Sequence, residues 1–386
     1  MRICPDCGIN KNYHILNWVD GLLGSVFSFD ISTKMPAWLQ HSSDRWIENI
    51  LIFLGFFKPV SDFKISDIPI RSKFLVEQAQ QRGYSVSILK GPFEFTNFFR
   101  IRKNGKLISF EGLPVAAFMS SKSIYKIDDK DYVKKMLLRN NMPVLFGKNF
   151  SVFSQNGAVT YGEKIGYPLV VKPRHGSFAR HITLDIQNKE ELKKAIKKAI
   201  VYSPSFFVEK YLKNADVIRA TVVDFEKIAL VKRVNPNVIG DGVSSIEKLV
   251  TIKNSDPDRG EPDDETKVVF KIDKNYKTSP DYVPPKNEIV YLFEEPFIRL
   301  GADLEDVTVV THPDNVELFK RVAKLFDTRL VGLDFICMDI SRSYKDQDCG
   351  ILELNSLPCV EIHQEPTTGS PVNVSGWLLD MMEKYY

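Results

Sequence analysis

Two apolar runs near the C-terminus each carry a carboxylate where a buried strand ordinarily carries none. Gly332-Leu333-Asp334-Phe335-Ile336 encloses Asp334, and Ile351-Leu352-Glu353-Leu354-Asn355 sets Glu353 and Asn355 two residues apart. Strand alternation puts Glu353 and Asn355 on one face, and Asp334 joins them if the two strands pair. A carboxylate inside an apolar strand is uncommon unless it is paired, so a metal site is preferred here over solvated strand residues. Two carboxylates and an amide oxygen form a hard-oxygen set suited to Mg²⁺, which phosphate oxygens and water usually complete.

Length and charge bound the rest. At 386 residues the chain exceeds one ordinary core and implies two or three domains. With 44% hydrophobic and 26% charged residues it belongs with folded globular chains. Lys and Arg number 52 against 49 Asp and Glu, a formal +3 spread along the chain. That gives no concentrated basic face for nucleic acid. No apolar stretch reaches the roughly 18 residues that would span a bilayer; Ile50–Phe57 comes nearest. Met1–Cys7 lacks the apolar core of a secretion signal. Five scattered cysteines fit a reducing compartment better than a disulfide framework. The expectation is a cytoplasmic protein with no membrane and no nucleic-acid partner.

Residues 1–60 show no clean period. Cys4-x-x-Cys7 is half of a zinc pattern and His14 offers a third ligand, but a tetrahedral ion needs a fourth. The plainer reading, two small residues in an N-terminal turn, is preferred. Arg71–Arg82 reads as a helix ended by Gly83, and Tyr84–Leu89 as a strand. Further helices are expected at Asp129–Asn140, from an Asn188 N-cap to about Ile200, at Asp314–Phe326 and at Pro371–Glu383. Ser244-Ser245-Ile246-Glu247 reads as a capping box. Strands are expected at Pro168–Lys172, Phe206–Glu209, Ile218–Val223, Lys227–Arg233, Val331–Met338 and Gly350–Leu354. The polar, proline-bearing stretch 253–290 reads as a long surface excursion.

Other candidates are weaker alone. Lys172 closes an apolar strand, and the Pro173–His181 segment that follows could cover phosphate. Lys134 taken alone is a solvated helix face. Glu209-Lys210-Tyr211-Leu212 reads equally as an exposed strand end or as backbone offered to an adenine edge, with Asp216 accepting from ribose hydroxyls. Arg219, Arg233 and Arg299 are possible oxyanion partners, exposure being the default for each. The six histidines form no metal cluster by spacing. His363 alone is site-proximal, and His312 reads as a loop residue.

These pieces stand in a recognisable order. Asp129-Lys130-x-x-x-Lys134 is followed by Tyr167-Pro168-Leu169-Val170-Val171-Lys172-Pro173 and Val208-Glu209-Lys210-Tyr211-Leu212. Arg233-Val234-x-Pro236-x-Val238-x-Gly240-Asp241-Gly242 comes next, then His312-Pro313, Gly332-Leu333-Asp334 and Glu353-Leu354-Asn355-x-x-Pro358. Over residues 125–386 the chain resembles the ATP-grasp superfamily, and within it the ATP-grasp modules of cyanophycin synthetases and of bifunctional glutathione enzymes. The Gly-Asp-Gly block is the most specific of these motifs. The resemblance implies a mixed α/β and α+β fold. Residues 1–60 are then a segment of unknown role, 61–125 a pre-ATP-grasp α/β domain, 126–225 the central lid domain and 226–386 the C-terminal metal-binding domain.

It also implies roles. Lys134 and Lys172 would bind the α/β-phosphates of ATP, and Gly176 would cover them. Glu209, Tyr211 and Leu212 would line the adenine site, with Asp216 on the ribose. Asp334, Glu353 and Asn355 would hold two Mg²⁺ ions, for which Mn²⁺ can substitute. Arg233 and Arg299 would stabilise transferring charge, with Arg219 and His363 near the substrate. The chain departs from the pattern where Ala179 and His181 stand in place of two glycines, where Cys359 replaces another, and around Arg299. The implied activity is an ADP-forming ligase that joins a carboxylate to an amine through an acyl-phosphate, acting on an amino acid or small peptide. A homodimer is common among such relatives. Two rival readings remain: an ATP-grasp kinase acting on a hydroxyl, and a catalytically silent nucleotide-binding scaffold.

Overall fold

The computed structural model describes Cys4, His14, Trp18 and residues 49–50, 52–92, 94–103, 105–111, 113–114, 127–174, 180–260 and 268–385. In chain order the first elements are β1 (Lys58–Val60), α1 (Ile70–Gln81), β2 (Ser85–Lys90), β3 (Phe95–Lys103), β4 (Lys106–Glu111) and β5 (Leu113–Pro114). Then come α2 (Lys130–Arg139), β6 (Gly147–Ser151), α3 (Gln155–Ile165), β7 (Leu169–Pro173), β8 (Thr183–Ile186), α4 (Lys189–Ile200) and β9 (Ser205–Lys210). After β10 (Asp216–Val223), β11 (Lys227–Val234) and β12 (Asn237–Ile239) follow α5 (Ile246–Asn254), β13 (Arg259–Gly260), β14 (Val269–Phe270) and β15 (Ile289–Tyr291). The last are β16 (Asp303–Asp306), α6 (Pro313–Leu325), β17 (Leu330–Cys337), β18 (Cys349–Asn355) and α7 (Val374–Tyr385). Among the described residues no helix is long and apolar enough to cross a membrane.

The chain forms two compact units that interleave in sequence. One holds residues 1–34, 125–215 and 334–354, the other 35–124, 216–333 and 355–386.

The first unit is built on an antiparallel sheet in the order β6-β9-β7-β8. Its core joins Leu169, Val171, Phe206 and Val208 of the sheet to Leu192 and Ile196 of α4. Such fully buried aliphatic side chains contribute about 1.5–3 kcal/mol each. Both helix starts follow capping chemistry. Asp129 accepts from the Asp131 and Tyr132 amides. Asn188 accepts from Glu191 N at 3.0 Å, and the Glu191 carboxylate reaches back to Gln187 N at 2.8 Å.

The second unit carries an antiparallel sheet in the order β1-β2-β3-β4-β5. Leu75 of α1 and Leu378 of α7 share its core with Ile88, Phe99 and Phe110, and the two phenyl rings stack with centroids 4.6 Å apart. A further antiparallel sheet of this unit runs β16-β11-β10. Three expectations need correction here. The stretch 253–290 is not merely a surface excursion, since Arg259, Val268, Val269 and Ile272 are buried. Its prolines also serve α5: the Pro280 and Tyr282 carbonyls accept from Glu247 N and Ile246 N. The α5 cap is Ser245 rather than Ser244, because Asp241 already takes the Ser244 amide at 2.7 Å. His312 is a helix cap rather than a loop residue, its Nδ1 accepting from Asp314 N at 3.1 Å.

Candidate functional site

In the first unit, α2 presents Lys130 and Lys134 one turn apart on the same face. Strand β9 lies between β6 and β7, so Phe207 and Glu209 point the same way from a strand paired on both sides. Glu209 is 3% exposed. Its two carboxylate oxygens each receive an ammonium: Lys134 Nζ on Oε1, and Lys172 Nζ on Oε2 at 2.7 Å. Both ammoniums also lie over the Phe207 ring, 5.6 and 5.7 Å from its centroid. Gly147 on β6, opposite Glu209, makes room for this, since a Cβ there would come within 2.6 Å of Glu209 Cα.

Burial opposes the charge of Glu209, yet Lys172 and Lys134 hold its carboxyl below the usual range. For Lys134 burial dominates and lowers the pKa, Glu209 offsets it only in part, and Lys172 adds repulsion. One carboxylate between two ammoniums leaves a buried net positive charge, which an incoming anion relieves.

The same helix face reaches the acidic strands. Lys130 Nζ pairs with Glu353 Oε2 at 2.9 Å. Burial works against the Lys130 charge, but Glu353, Asp334 and Asp128 together raise its pKa. An ammonium among these carboxylates stands in for a cation. Asp334 on β17 is 5% exposed. Carboxylates of this kind, Asp334 and Glu353, suit a hard divalent ion. In the second unit Asn355 has a buried Nδ2 with no hydrogen-bond partner among the described residues. Arg174 grips Asp129 at the start of α2 through Nε at 3.2 Å and Nη2 at 2.6 Å.

The second unit buries a different group. Arg219 is buried beside Gly332, where a Cβ would come within 3.4 Å of its Nη1. His363 is 1% exposed, with Nε2 2.8 Å from Thr221 Oγ1, and burial together with the nearby Arg219 pushes its pKa down to about 3. Burial raises the Glu361 carboxyl, and that group with burial pushes the Cys359 thiol up to about 12. Arg233 sits on β11 opposite Val217 and Leu304, and Arg299 lies over the Phe297 ring at 5.4 Å. A separate pocket of about 440 Å³ is lined by Lys253, Arg259, Asp303, Thr367 and Thr368. There Asp303 pairs with Arg259 and, at 2.6 Å, with Lys253.

Residues 136–241 match the family described as D-ala D-ala ligase C-terminus. Over 262 residues the chain is 35% identical to the cyanophycin synthetase of Trichormus variabilis, covering 66% of this chain and 29% of that one. It is 28% identical over 331 residues to the glutathione biosynthesis bifunctional protein of Listeria welshimeri, covering 82% of this chain and 41% of that one. A solved bifunctional glutathione synthetase from Pasteurella multocida shares the fold, with a TM-score of 0.64 at 24% identity, over 83% of this chain and 44% of that one. Over these stretches the chain is similar to synthetases and ligases of these three kinds. It spans less than half the length of each of these three proteins.

Against the ATP-grasp motifs, the structure brings Lys134, Lys172 and Glu209 together and places Lys130 on Glu353. The Glu209 side chain pairs with both lysines, which the adenine reading did not foresee. The Lys210 and Tyr211 amides are engaged by the Phe146 and Pro168 carbonyls, at 2.8 and 3.0 Å. Tyr211 and Leu212 follow β9 half-buried, and Asp216 pairs with Lys232 at 4.0 Å. Gly176 lies outside the described residues, as does Cys7. Lys130, Arg174 and Arg259 were missed as parts of charged clusters, although Lys130 stands one helical turn before Lys134. The histidine reading needs correction: His14 and His181, unrelated by spacing, both stand beside Cys4.

Proposed function

We propose that the chain is an ATP-dependent carboxylate–amine ligase that forms an amide or peptide bond on an amino acid or small peptide. The observation that carries this reading is the buried lysine pair sharing one glutamate in the same unit as Asp334 and Glu353. ATP phosphorylates the donor carboxylate and leaves as ADP. The amine then attacks the acyl carbon, phosphate departs, and the amine loses a proton. Such chemistry asks the protein mainly for positioning and charge neutralisation.

Lys134 and Lys172 would hold the α/β-phosphates, and Glu209 would fix the two ammoniums at their spacing. The amide offered to an adenine edge would be that of Leu212, beside Tyr211, with Asp216 toward the ribose. Asp334, Glu353 and Asn355 would bind two Mg²⁺ ions, Lys130 giving up its place on Glu353. Bound Mg²⁺ supplies neutralisation of phosphate charge. Arg233 and Arg299 would stabilise charge on the transferring group. The pocket at Lys253, Arg259 and Asp303 has the size of a small-ligand site and carries both signs of charge, as a zwitterionic amino acid requires. Residues 126–225 would form the lid and 226–386 the metal-binding domain.

The test is ADP and phosphate release from Mg·ATP with amino acids and short peptides offered in pairs. Release that requires both an acid and an amine is expected. ADP formed without free phosphate would replace the ligase with a kinase.

A further inference from the structure

The first unit holds a second cluster that the ligase chemistry does not use. Cys4, His14 and His181 are 3%, 4% and 2% exposed, and each brings a ligand atom within 4.8 Å of the others. Cys4 Sγ and His181 Nε2 are 3.8 Å apart. Zinc bonds of about 2.3 Å to sulfur and about 2.0–2.1 Å to nitrogen set the S···N edge of a tetrahedron near 3.6 Å. The pair already stands close to that edge.

His181 is held as a metal ligand is held. Its Nδ1 lies 3.1 Å from the Lys198 carbonyl. The proton therefore sits on Nδ1 and is donated there, leaving the Nε2 lone pair toward Cys4, the arrangement by which a backbone carbonyl orients a metal-bound imidazole. The Tyr202 ring stacks on it at 5.0 Å and 20°, and His14 meets it edge-on at 4.9 Å and 83°. The His181 backbone has φ 55°, in the left-handed region that non-glycine residues enter at a cost. A turn alone would be served better by glycine, so the imidazole is what this position gains.

The surroundings also suit a cation. The Lys198 carbonyl and the Ile200 carbonyl, which accepts from Trp18 Nε1 at 3.1 Å, end helix α4. The C-terminal end of a helix carries partial negative charge. A thiolate with two imidazoles is a borderline-soft set that selects Zn²⁺ over Mg²⁺. Cys4 loses its thiol proton on binding, and the fourth coordination position goes to water or another thiol.

We propose that Cys4, His14 and His181 bind one Zn²⁺, fastening the N-terminal segment to α4 and to the end of the loop between β7 and β8. The test uses the full chain, loaded with zinc and desalted, then with Co²⁺ in its place. About one metal per chain is expected, with the visible bands of tetrahedral cobalt and a thiolate-to-cobalt band in the near ultraviolet. Cys4→Ser should lose the thiolate band. His181→Asn, a residue that tolerates the left-handed backbone, should lose stoichiometric metal while keeping the far-ultraviolet dichroism of the wild type. Wild-type protein that retains no zinc and shows no cobalt spectrum would overturn the proposal. So would folded Cys4→Ser and His181→Asn variants that keep both the metal and the thiolate band. If either variant does not fold, the wild-type cobalt spectrum decides.

Discussion

Two regions of this molecule bury ionisable groups, with opposite results. In the first unit Glu209 stays ionised because two ammoniums touch it, and Lys130 stays charged against Glu353. In the second, burial moves His363 and Glu361 toward their neutral forms, and a hydroxyl is the partner His363 meets. A buried charge persists where an opposite charge lies within hydrogen-bond reach. Under the proposed function the first region would exchange one set of charges for another, as a phosphate and metal site must. Around His363 and Glu361 the second region favours neutral forms instead.

The contrast breaks most sharply at the acidic strands. Glu353→Gln should lower turnover by about 10³-fold or more with the fold intact, read by steady-state ADP release and circular dichroism. Wild-type-like turnover would remove Glu353 from the metal set. Glu209→Gln leaves two buried ammoniums without a carboxylate and should cost about 3–5 kcal/mol of stability, measured by denaturant unfolding. If Lys172 holds phosphate as proposed, Lys172→Met should weaken nucleotide binding about 10–100-fold, measured by calorimetry.

The second region predicts smaller effects that depend on pH. His363, near 3 when folded, takes up its proton around 6.5 when unfolded. The unfolded chain therefore binds more protons between those values, and stability falls as pH drops from 6.5 toward 3, by about 1.4 kcal/mol per unit. His363→Gln should flatten that slope in unfolding measured across pH. Glu361 works in the other direction. Its raised folded pKa gives a contribution that is present below its unfolded value of 4.5 and lost as pH rises through the folded value. Glu361→Gln should therefore be neutral or slightly stabilising at pH 7.

Local chemistry was readable where one segment holds all of it. The Asn188 cap, the α1 stop at Gly83 and the carboxylates in β17 and β18 all follow from residues within a few positions of each other. What escaped lies across large separations or in registers set by the sheet. Glu209 meets Lys134 from 75 residues away, and only the seating of β9 between β6 and β7 shows that its side chain faces both lysines. Cys4 meets His181 from 177 residues away, beyond any spacing rule. The 253–290 stretch looked solvated because its buried members, Arg259 and Val268–Val269, are few and widely set among polar residues.

The central claim is that the charge shared by Lys134, Glu209 and Lys172 is the seat of the nucleotide phosphates. The direct measurement is calorimetric binding of a non-hydrolysable Mg·ATP analogue and of adenosine to wild type and to the Lys134→Met/Lys172→Met double variant. A folded double variant should lose about 100-fold or more in affinity for the triphosphate and keep its affinity for adenosine. Undiminished triphosphate binding in that variant would contradict the claim.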